Sequence, residues 1–154
     1  MSIEMARPIR LLAEGKRGVR AQFGALCWRR KNDKVEVMLV TTRQTRRWVI
    51  PKGWPMDGKT PAQTAAIEAF EEAGVKGQSR ETCIGLFTYL KEFEDNDLPV
   101  AVAVYPVKVT KILSDWPEKA ERARRWLRPK KAAKLVCEPE LAAILRNFEP
   151  PGEA

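Results

Sequence analysis

Residues 53–75 read GWPMDGKTPAQTAAIEAFEEAGV, a loop rich in Gly and Pro that leads into a short predicted helix. Thr60 is placed to cap the helix, with Pro61 at the first helical position and Gln63 completing a capping box. Gly74 supplies the usual C-terminal stop. These local signals predict a helix that begins at Pro61 and ends before Gly74.

Three glutamates, Glu68, Glu71 and Glu72, lie near the end of this helix. At 3.6 residues per turn they fall within an arc of roughly 100°, so their carboxylates point to one side. An apolar stripe that would seat the helix on a core lies opposite and consists of Ala62, Ala66, Ala69, Phe70 and Ala73. We therefore expect the acidic side to face a cleft or solvent, where positive charge must offset the repulsion.

Carboxylate oxygens without a neighbouring thiolate or imidazole suit Mg²⁺ or Mn²⁺, which also bridge to phosphate oxygens. The pattern therefore indicates a phosphate ester or anhydride as substrate. For a bare ExxEE pattern, a solvated acidic face is the more common explanation, so the surrounding sequence must decide. Histidine is absent from the chain, which excludes Ser-His-Asp and Cys-His catalysis as well as a His-ligated metal.

The surrounding sequence resembles the Nudix box, usually written GX5EX7REUXEEXGU with U an aliphatic residue. The matching positions, at the family spacing and without a gap, are Gly53, Glu68, Ala69, Glu71, Glu72, Gly74 and Val75. Two positions depart from the pattern, since Lys59 replaces the first Glu and Ile67 replaces the Arg. In the family that Arg helps to orient a glutamate of the box, so other neighbours must position Glu71 in this chain.

The resemblance extends over most of the chain. Within the family, the chain is similar above all to the diphosphoinositol polyphosphate phosphohydrolase branch, whose members also cleave diadenosine polyphosphates. The stretches that carry it are VRAQFGALCWRR (19–30), RRWVIPKGW (46–54), EEAGVKG (71–77) and DWPEKAERARRWLRPKKAAKLV (115–136). It implies an α/β fold, a Mg²⁺ or Mn²⁺ cofactor and hydrolysis of a phosphoanhydride by a metal-activated water.

The resemblance also implies roles for the three glutamates. Glu68 and Glu72, one turn apart, are the first choice as metal ligands. Glu71 is either a third metal ligand or the base that takes the proton of the attacking water. Glu71 and Glu72 are therefore the predicted catalytic residues.

Basic, glycine and aromatic residues around the box are candidate substrate contacts, namely Arg20, Arg43, Arg46, Lys52, Gly53 and Trp54. A guanidinium group binds phosphate oxygens through paired hydrogen bonds. By resemblance, Arg20, Arg43 and Lys52 contact the polyphosphate. A solvent-facing charge is the alternative for each basic residue, and a half-buried loop anchor is the alternative to base stacking for Trp54.

A chain of 154 residues, of which 44% are hydrophobic, is about the size of one domain with one core. We expect an N-terminal arm over 1–17, a Nudix hydrolase domain over 18–149 and a C-terminal tail over 150–154. The sequence has neither a long apolar run nor a secretory signal, so a cytoplasmic protein without membrane contact is expected.

The formal net charge of +8 favours polyanionic partners. A small phosphorylated substrate fits this charge. RNA is a possible partner but is not favoured, because the chain has no recognisable nucleic-acid-binding signature.

Three widely spaced cysteines, Cys27, Cys83 and Cys137, argue against both a disulfide framework and a zinc site. We expect buried or half-buried thiols at these positions. Trp116 and Trp126 are likewise interpreted as packing residues.

Periodicity and turn signals predict the remaining elements. Strands are expected at 19–29, 35–42, 48–50, 82–93, 98–109 and 126–127, with the first two forming a hairpin around KNDK and the fourth and fifth flanking EDNDLP. Two helices are expected at 129–137 and 139–148. This order predicts a Nudix-type α/β/α sandwich with a central mixed sheet.

Two alternatives to a hydrolase of small phosphoanhydrides remain open. Because Lys59 and Ile67 alter the box, the chain could be a pyrophosphate-ligand binding protein with weak catalysis. An RNA 5′-end pyrophosphohydrolase shares the chemistry and would suit the basic surface. The sequence leaves open which anhydride is cleaved, whether Mg²⁺ or Mn²⁺ is preferred, and the oligomeric state.

Overall fold

The computed structural model describes residues 20–92 and 97–152 of the chain. The predicted arm over 1–17, the first three residues of the EDNDLP turn and the last two residues of the predicted tail lie outside the described residues. The elements in chain order are β1 (Arg20–Lys31), β2 (Lys34–Thr41), β3 (Trp48–Val49), β4 (Lys52–Gly53), α1 (Pro61–Ala73), β5 (Val75–Ser79), β6 (Gly85–Glu92), β7 (Asp97–Ile112), β8 (Arg124–Leu127), α2 (Pro129–Leu135) and α3 (Pro139–Arg146).

The strands of the described residues form one mixed sheet. β1 pairs antiparallel with β2 and β4 and parallel with β7. β7 also pairs antiparallel with β5 and β6, and β2 pairs antiparallel with β3 and β8. α1 packs against β1 and β5, α2 against α3 and β2, and α3 against β6. The predicted α/β fold with a central mixed sheet is therefore confirmed.

The first hairpin turns at Asn32 and Asp33, whose φ angles are 53° and 64°. Two successive left-handed residues are typical of the tight turns that match the twist of paired strands, and Asn and Asp tolerate this conformation. Lys31 and Lys34 close the ladder on either side. The predicted hairpin is confirmed, with strands that run one or two residues further into KNDK.

Two short strands were not predicted. β5 reads VKGQS, which has little strand propensity, and within the described part of the chain β7 is its single partner in the sheet. A side chain at Gly77 would collide with the backbone of Lys108 in β7, so close approach of the strands depends on this glycine. β4 has only two residues, and its pairing with β1 at Phe23 and Gly24 places Gly53 beside α1.

The predicted caps of α1 are confirmed. The Thr60 hydroxyl accepts from the Gln63 backbone N–H at 3.1 Å, and the Gln63 side chain accepts from the Thr60 N–H at 2.9 Å. Gly74 has a φ of 67°, and its N–H donates to the Phe70 carbonyl at 3.1 Å. The helix ends there because the left-handed conformation suits glycine.

The buried face of α1 differs from the predicted stripe. It consists of Ala62, Thr64, Ala65, Ala69, Glu72 and Ala73. Ala66 and Phe70, which the stripe included, are only half-buried. Glu72, a member of the predicted acidic side, is buried, because the chain after β7 covers the end of the helix.

Cys27 lies in the core, where burial raises the pKa of its thiol to about 12. Cys83 and Cys137 are exposed, so the prediction of buried or half-buried thiols is wrong for both. The reason is that each lies in a connection, before β6 and between α2 and α3. Within residues 20–92 and 97–152, no helix has both the length and the apolar character needed to span a bilayer.

Candidate active site

The box helix meets β4 where Glu68 lies against Gly53. A Cβ atom at Gly53 would overlap the Glu68 carboxylate and lie 2.9 Å from its Cγ. Gly53 is buried and Glu68 is half-buried. The absence of a side chain at position 53 therefore lets the Glu68 carboxylate approach the strand.

Glu72 is buried, with 6% of its surface exposed. Its Oε1 accepts from the Lys52 backbone N–H at 3.4 Å, and its Oε2 lies 3.6 Å from Nη2 of Arg122. Burial raises the pKa of Glu72 to about 8, against the opposing effect of the Arg122 charge. Two positive neighbours thus fail to compensate for the removal of this carboxyl group from water.

Glu68 and Glu72 share a side-chain hydrogen bond. Burial also raises the pKa of Glu68, although the hydrogen bond from Glu72 opposes this effect. Two carboxyl groups in contact favour sharing a proton over carrying two charges. Glu71 is half-buried, and its backbone carbonyl accepts from the Glu118 N–H at 3.0 Å.

The glutamate pair fits a small hard cation. Among the described residues, no group of three or more Asp, Glu and Cys side chains is arranged to hold a metal ion. Mg²⁺, however, is usually bound by one or two carboxylates, with water and substrate phosphates completing its shell. Since burial and the negative charge of Glu68 both raise the pKa of Glu72, a cation between the two carboxylates would offset their repulsion. Glu68 and Glu72 would be its ligands.

A cleft of about 670 Å³ is lined in part by the two residues that contact Glu72. Its lining consists of Thr42, Arg43, Gln44, Thr45, Arg47, Val49, Lys52, Tyr89, Leu90, Lys91, Arg122 and Glu138. Five of these residues are basic and one is acidic, and the acidic one, Glu138, is paired with Arg47 at 3.5 Å. Lys52 and Arg122 contact Glu72 and also line the cleft. The cleft is therefore suited to an anion that reaches the glutamates.

The sequence profile of the NUDIX domain matches residues 19–148. The chain belongs to the Nudix family. Its sequence is 39% identical over 120 residues to Nudix hydrolase 12, mitochondrial, from Arabidopsis thaliana, a match that covers 75% of this chain and 59% of the plant protein. It is 32% identical over 122 residues to diphosphoinositol polyphosphate phosphohydrolase 3-beta from Bos taurus, with 77% and 70% of the two chains covered.

The Nudix fold is also found in solved structures. An Ap4A hydrolase from C. elegans, in a binary complex, superposes with a TM-score of 0.61 at 22% identity, covering 82% of this chain and 92% of that one. At this identity the likeness concerns the fold. The chain spans about three fifths of the length of the first curated Nudix relatives it matches.

The Nudix site brings together some of the predicted substrate contacts. Arg43 and Lys52 line the cleft, and Gly53 adjoins Glu68. Three others are not among the cleft-lining residues: Arg20 begins β1 opposite Val100, Arg46 donates to the Glu121 carbonyl at 2.8 Å, and Trp54 is 39% exposed.

Three positively charged residues that line the cleft were not among the predicted contacts: Arg47, Lys91 and Arg122. Lys91 lies near the end of β6, and Arg122 lies in the connection between β7 and β8. The ERARR run containing Arg122 gives one weak signal, since residues two apart in extended chain point to the same side. Nothing in that pattern shows that Arg122 meets Glu72, fifty residues earlier.

Proposed function

We propose that this Nudix chain hydrolyses a phosphoanhydride bond of a polyphosphorylated small molecule, of the diphosphoinositol polyphosphate or diadenosine polyphosphate type. The observation that carries the proposal is that Glu72, which interacts with Glu68, is contacted by two residues that also line the basic cleft. These are Lys52 and Arg122. A substrate phosphate held by these two residues would lie next to the glutamates.

Glu68 and Glu72 would hold Mg²⁺ or Mn²⁺, which neutralises phosphate charge and lowers the pKa of bound water. Arg43, Lys52 and Arg122 bind the phosphate oxygens around the scissile anhydride, and their fixed charges favour the transition state. Glu71, on the same side of the helix, takes the proton of the attacking water or serves as a third ligand. The products are two phosphorylated fragments, one of which carries the oxygen of water.

The number of charges in the cleft supports a densely phosphorylated substrate. Five basic side chains line the cleft, of which Arg43 and Arg47 are paired with Glu121 and Glu138 at 3.1 and 3.5 Å. The described lining has one aromatic residue, Tyr89, and its ring faces the Lys52 ammonium group at 4.8 Å. Trp54, exposed at the edge of the box, is the candidate for stacking on a base if the substrate carries one. We also propose a cytoplasmic location, in keeping with the sequence.

The test is release of phosphate or nucleotide from four substrate classes: diphosphoinositol polyphosphates, diadenosine polyphosphates, nucleoside triphosphates and triphosphorylated RNA. Each is assayed with Mg²⁺, with Mn²⁺ and with a chelator. Glu68→Gln and Glu72→Gln should lose metal-dependent turnover. Glu149→Gln, a change at an exposed residue outside the site, is the matched control.

Other outcomes of this assay would favour other functions. Tight binding of the diphosphate ligands without turnover would favour a binding protein with a weakened box. Turnover of triphosphorylated RNA alone, with a strongly salt-dependent affinity, would favour an RNA 5′-end pyrophosphohydrolase. Full turnover by Glu72→Gln would refute the assignment of the glutamates.

A further inference from the structure

The end of α1 is held by a distant part of the chain. The last carbonyls of a helix have no partner within the helix, and Gly74 satisfies only that of Phe70. The Glu71 carbonyl accepts from the Glu118 N–H at 3.0 Å, and the Glu72 carbonyl accepts from the indole Nε1 of Trp116 at 3.2 Å. We call residues 113–124, the connection from β7 into β8, the clasp.

Arg124 completes the clasp. Its Nη1 donates to the carbonyls of Ala73 and Gly74 at 2.8 and 3.2 Å, and its Nη2 donates to the Leu113 carbonyl at 2.7 Å. The guanidinium lies 3.9 Å from the centre of the Trp116 ring, a stacking arrangement that fixes both side chains. A Cβ atom at Gly74 would collide with both of them. The clasp therefore fits closely over the helix end.

The clasp also reaches the carboxylate of Glu72. Arg122 donates from Nε to Glu118 at 2.6 Å and from Nη1 to the Thr41 carbonyl at 3.0 Å. These two bonds fix its guanidinium, whose Nη2 lies 3.6 Å from Glu72 Oε2. The clasp thus holds Glu72 through both its main chain and its side chain.

We propose that the clasp orients Glu71 and Glu72 for metal binding, with Trp116, Arg122 and Arg124 as positioning residues. This inference rests on the proposed function. Ile67 lacks the guanidinium found at its position in the box, and the clasp brings guanidinium groups from outside the box instead. Ligand atoms must lie within about 0.2 Å of their ideal distances from a metal, so the last turn of α1 must be held firmly.

The competing explanation is that the clasp merely stabilises the helix. Trp116→Phe and Arg124→Met remove hydrogen bonds at its C-terminal end, and neither residue lines the described cleft. Thr60→Ala removes the cap at its N-terminal end, far from Glu72 along the helix, and destabilises the same helix. Mn²⁺ affinity is measured on the substrate-free protein, kcat and KM on the preferred substrate, and folding by thermal melts, all well below the lowest Tm.

Trp116→Phe and Arg124→Met should weaken Mn²⁺ binding by roughly tenfold and lower kcat with little change in KM. Thr60→Ala should lower the Tm but leave Mn²⁺ affinity unchanged. Equal effects of the three variants on Mn²⁺ affinity, or no effect of the clasp variants, would overturn the inference. Mn²⁺ binding without turnover by the wild-type chain would refute the proposed function but leave the clasp test intact, whereas absence of Mn²⁺ binding would overturn both.

Discussion

Replacing Gly53 with alanine should separate the activity of this protein from its stability. The added Cβ atom would occupy the space of the Glu68 carboxylate. Positive φ angles among the described glycines occur at Gly58 and Gly74, so the backbone at position 53 accepts alanine without strain. Glu68 is half-buried, so its flexible side chain is not fully enclosed.

The size of the effect follows from this overlap. Restoring a carbon contact of about 3.5 Å requires the carboxylate to move by roughly 1 Å or more. A displacement of about 1 Å in a catalytic site can lower the rate about 10²-fold, which corresponds to about 2.7 kcal/mol of transition-state stabilisation. Because only the flexible end of a side chain is displaced, the free energy of unfolding should change by less than about 1 kcal/mol.

The assay is metal-dependent kcat/KM together with urea unfolding. Gly152→Ala, where an added Cβ atom meets nothing within 4 Å, is the matched control. In a Glu68→Ala background, Gly53→Ala should have no further effect on the rate, because the group it displaces is gone. Wild-type kcat/KM for Gly53→Ala, or an equal loss in both backgrounds, would refute the reasoning.

Three further predictions concern charge in the site. Folding raises the pKa of Glu72 from 4.5 to about 8, so the metal-free folded state keeps a proton that the unfolded chain releases, and stability falls as the pH rises through this range. In urea unfolding with a chelator present, Glu72→Gln should therefore be more stable than wild type at pH 9 but not at pH 4, and a pH-independent difference would contradict this. Mg²⁺ at 100 times its Kd should add about 2.7 kcal/mol, or roughly 5–10 °C in Tm, and a similar rise in Glu68→Gln would contradict the ligand assignment. Ile67→Arg should change kcat/KM by less than about threefold, or 0.7 kcal/mol, because Arg122 already faces Glu72; a large gain in steady-state rate would instead indicate a weakened box.

The start and end of α1 could be predicted because its signals are local. Thr60, Gln63 and Gly74 each act on backbone groups within four residues, so the sequence alone contains the interaction. The burial of Glu72 could not be predicted this way. It depends on Trp116 and Arg122, which are more than forty residues away. Trp116 has no sequence signal for this contact, and Arg122 appears as an ordinary member of a basic run.

The same distinction applies to strands and cysteines. The alternating apolar run of β7 is recognisable because its core contacts demand apolar residues, whereas β5 holds its place through Gly77 and backbone pairing. Cys83 and Cys137 resemble Cys27 in sequence, but their exposure depends on which connections the fold leaves uncovered. Sequence patterns therefore predicted the box helix and the central strands better than the residues that surround the site.

The arrangement of Arg122 explains how a glutamate can be buried beside an arginine and still be suited to a metal ion. The short ion pair of Arg122 is the one with Glu118, at 2.6 Å, whereas the separation from Glu72 is 3.6 Å. If Arg122 paired closely with Glu72, it would stabilise the charged carboxylate and compete with a cation for the same oxygen atoms. Because Glu118 takes the shortest ion pair, Arg122 positions Glu72 and only partly offsets the rise in pKa that burial causes.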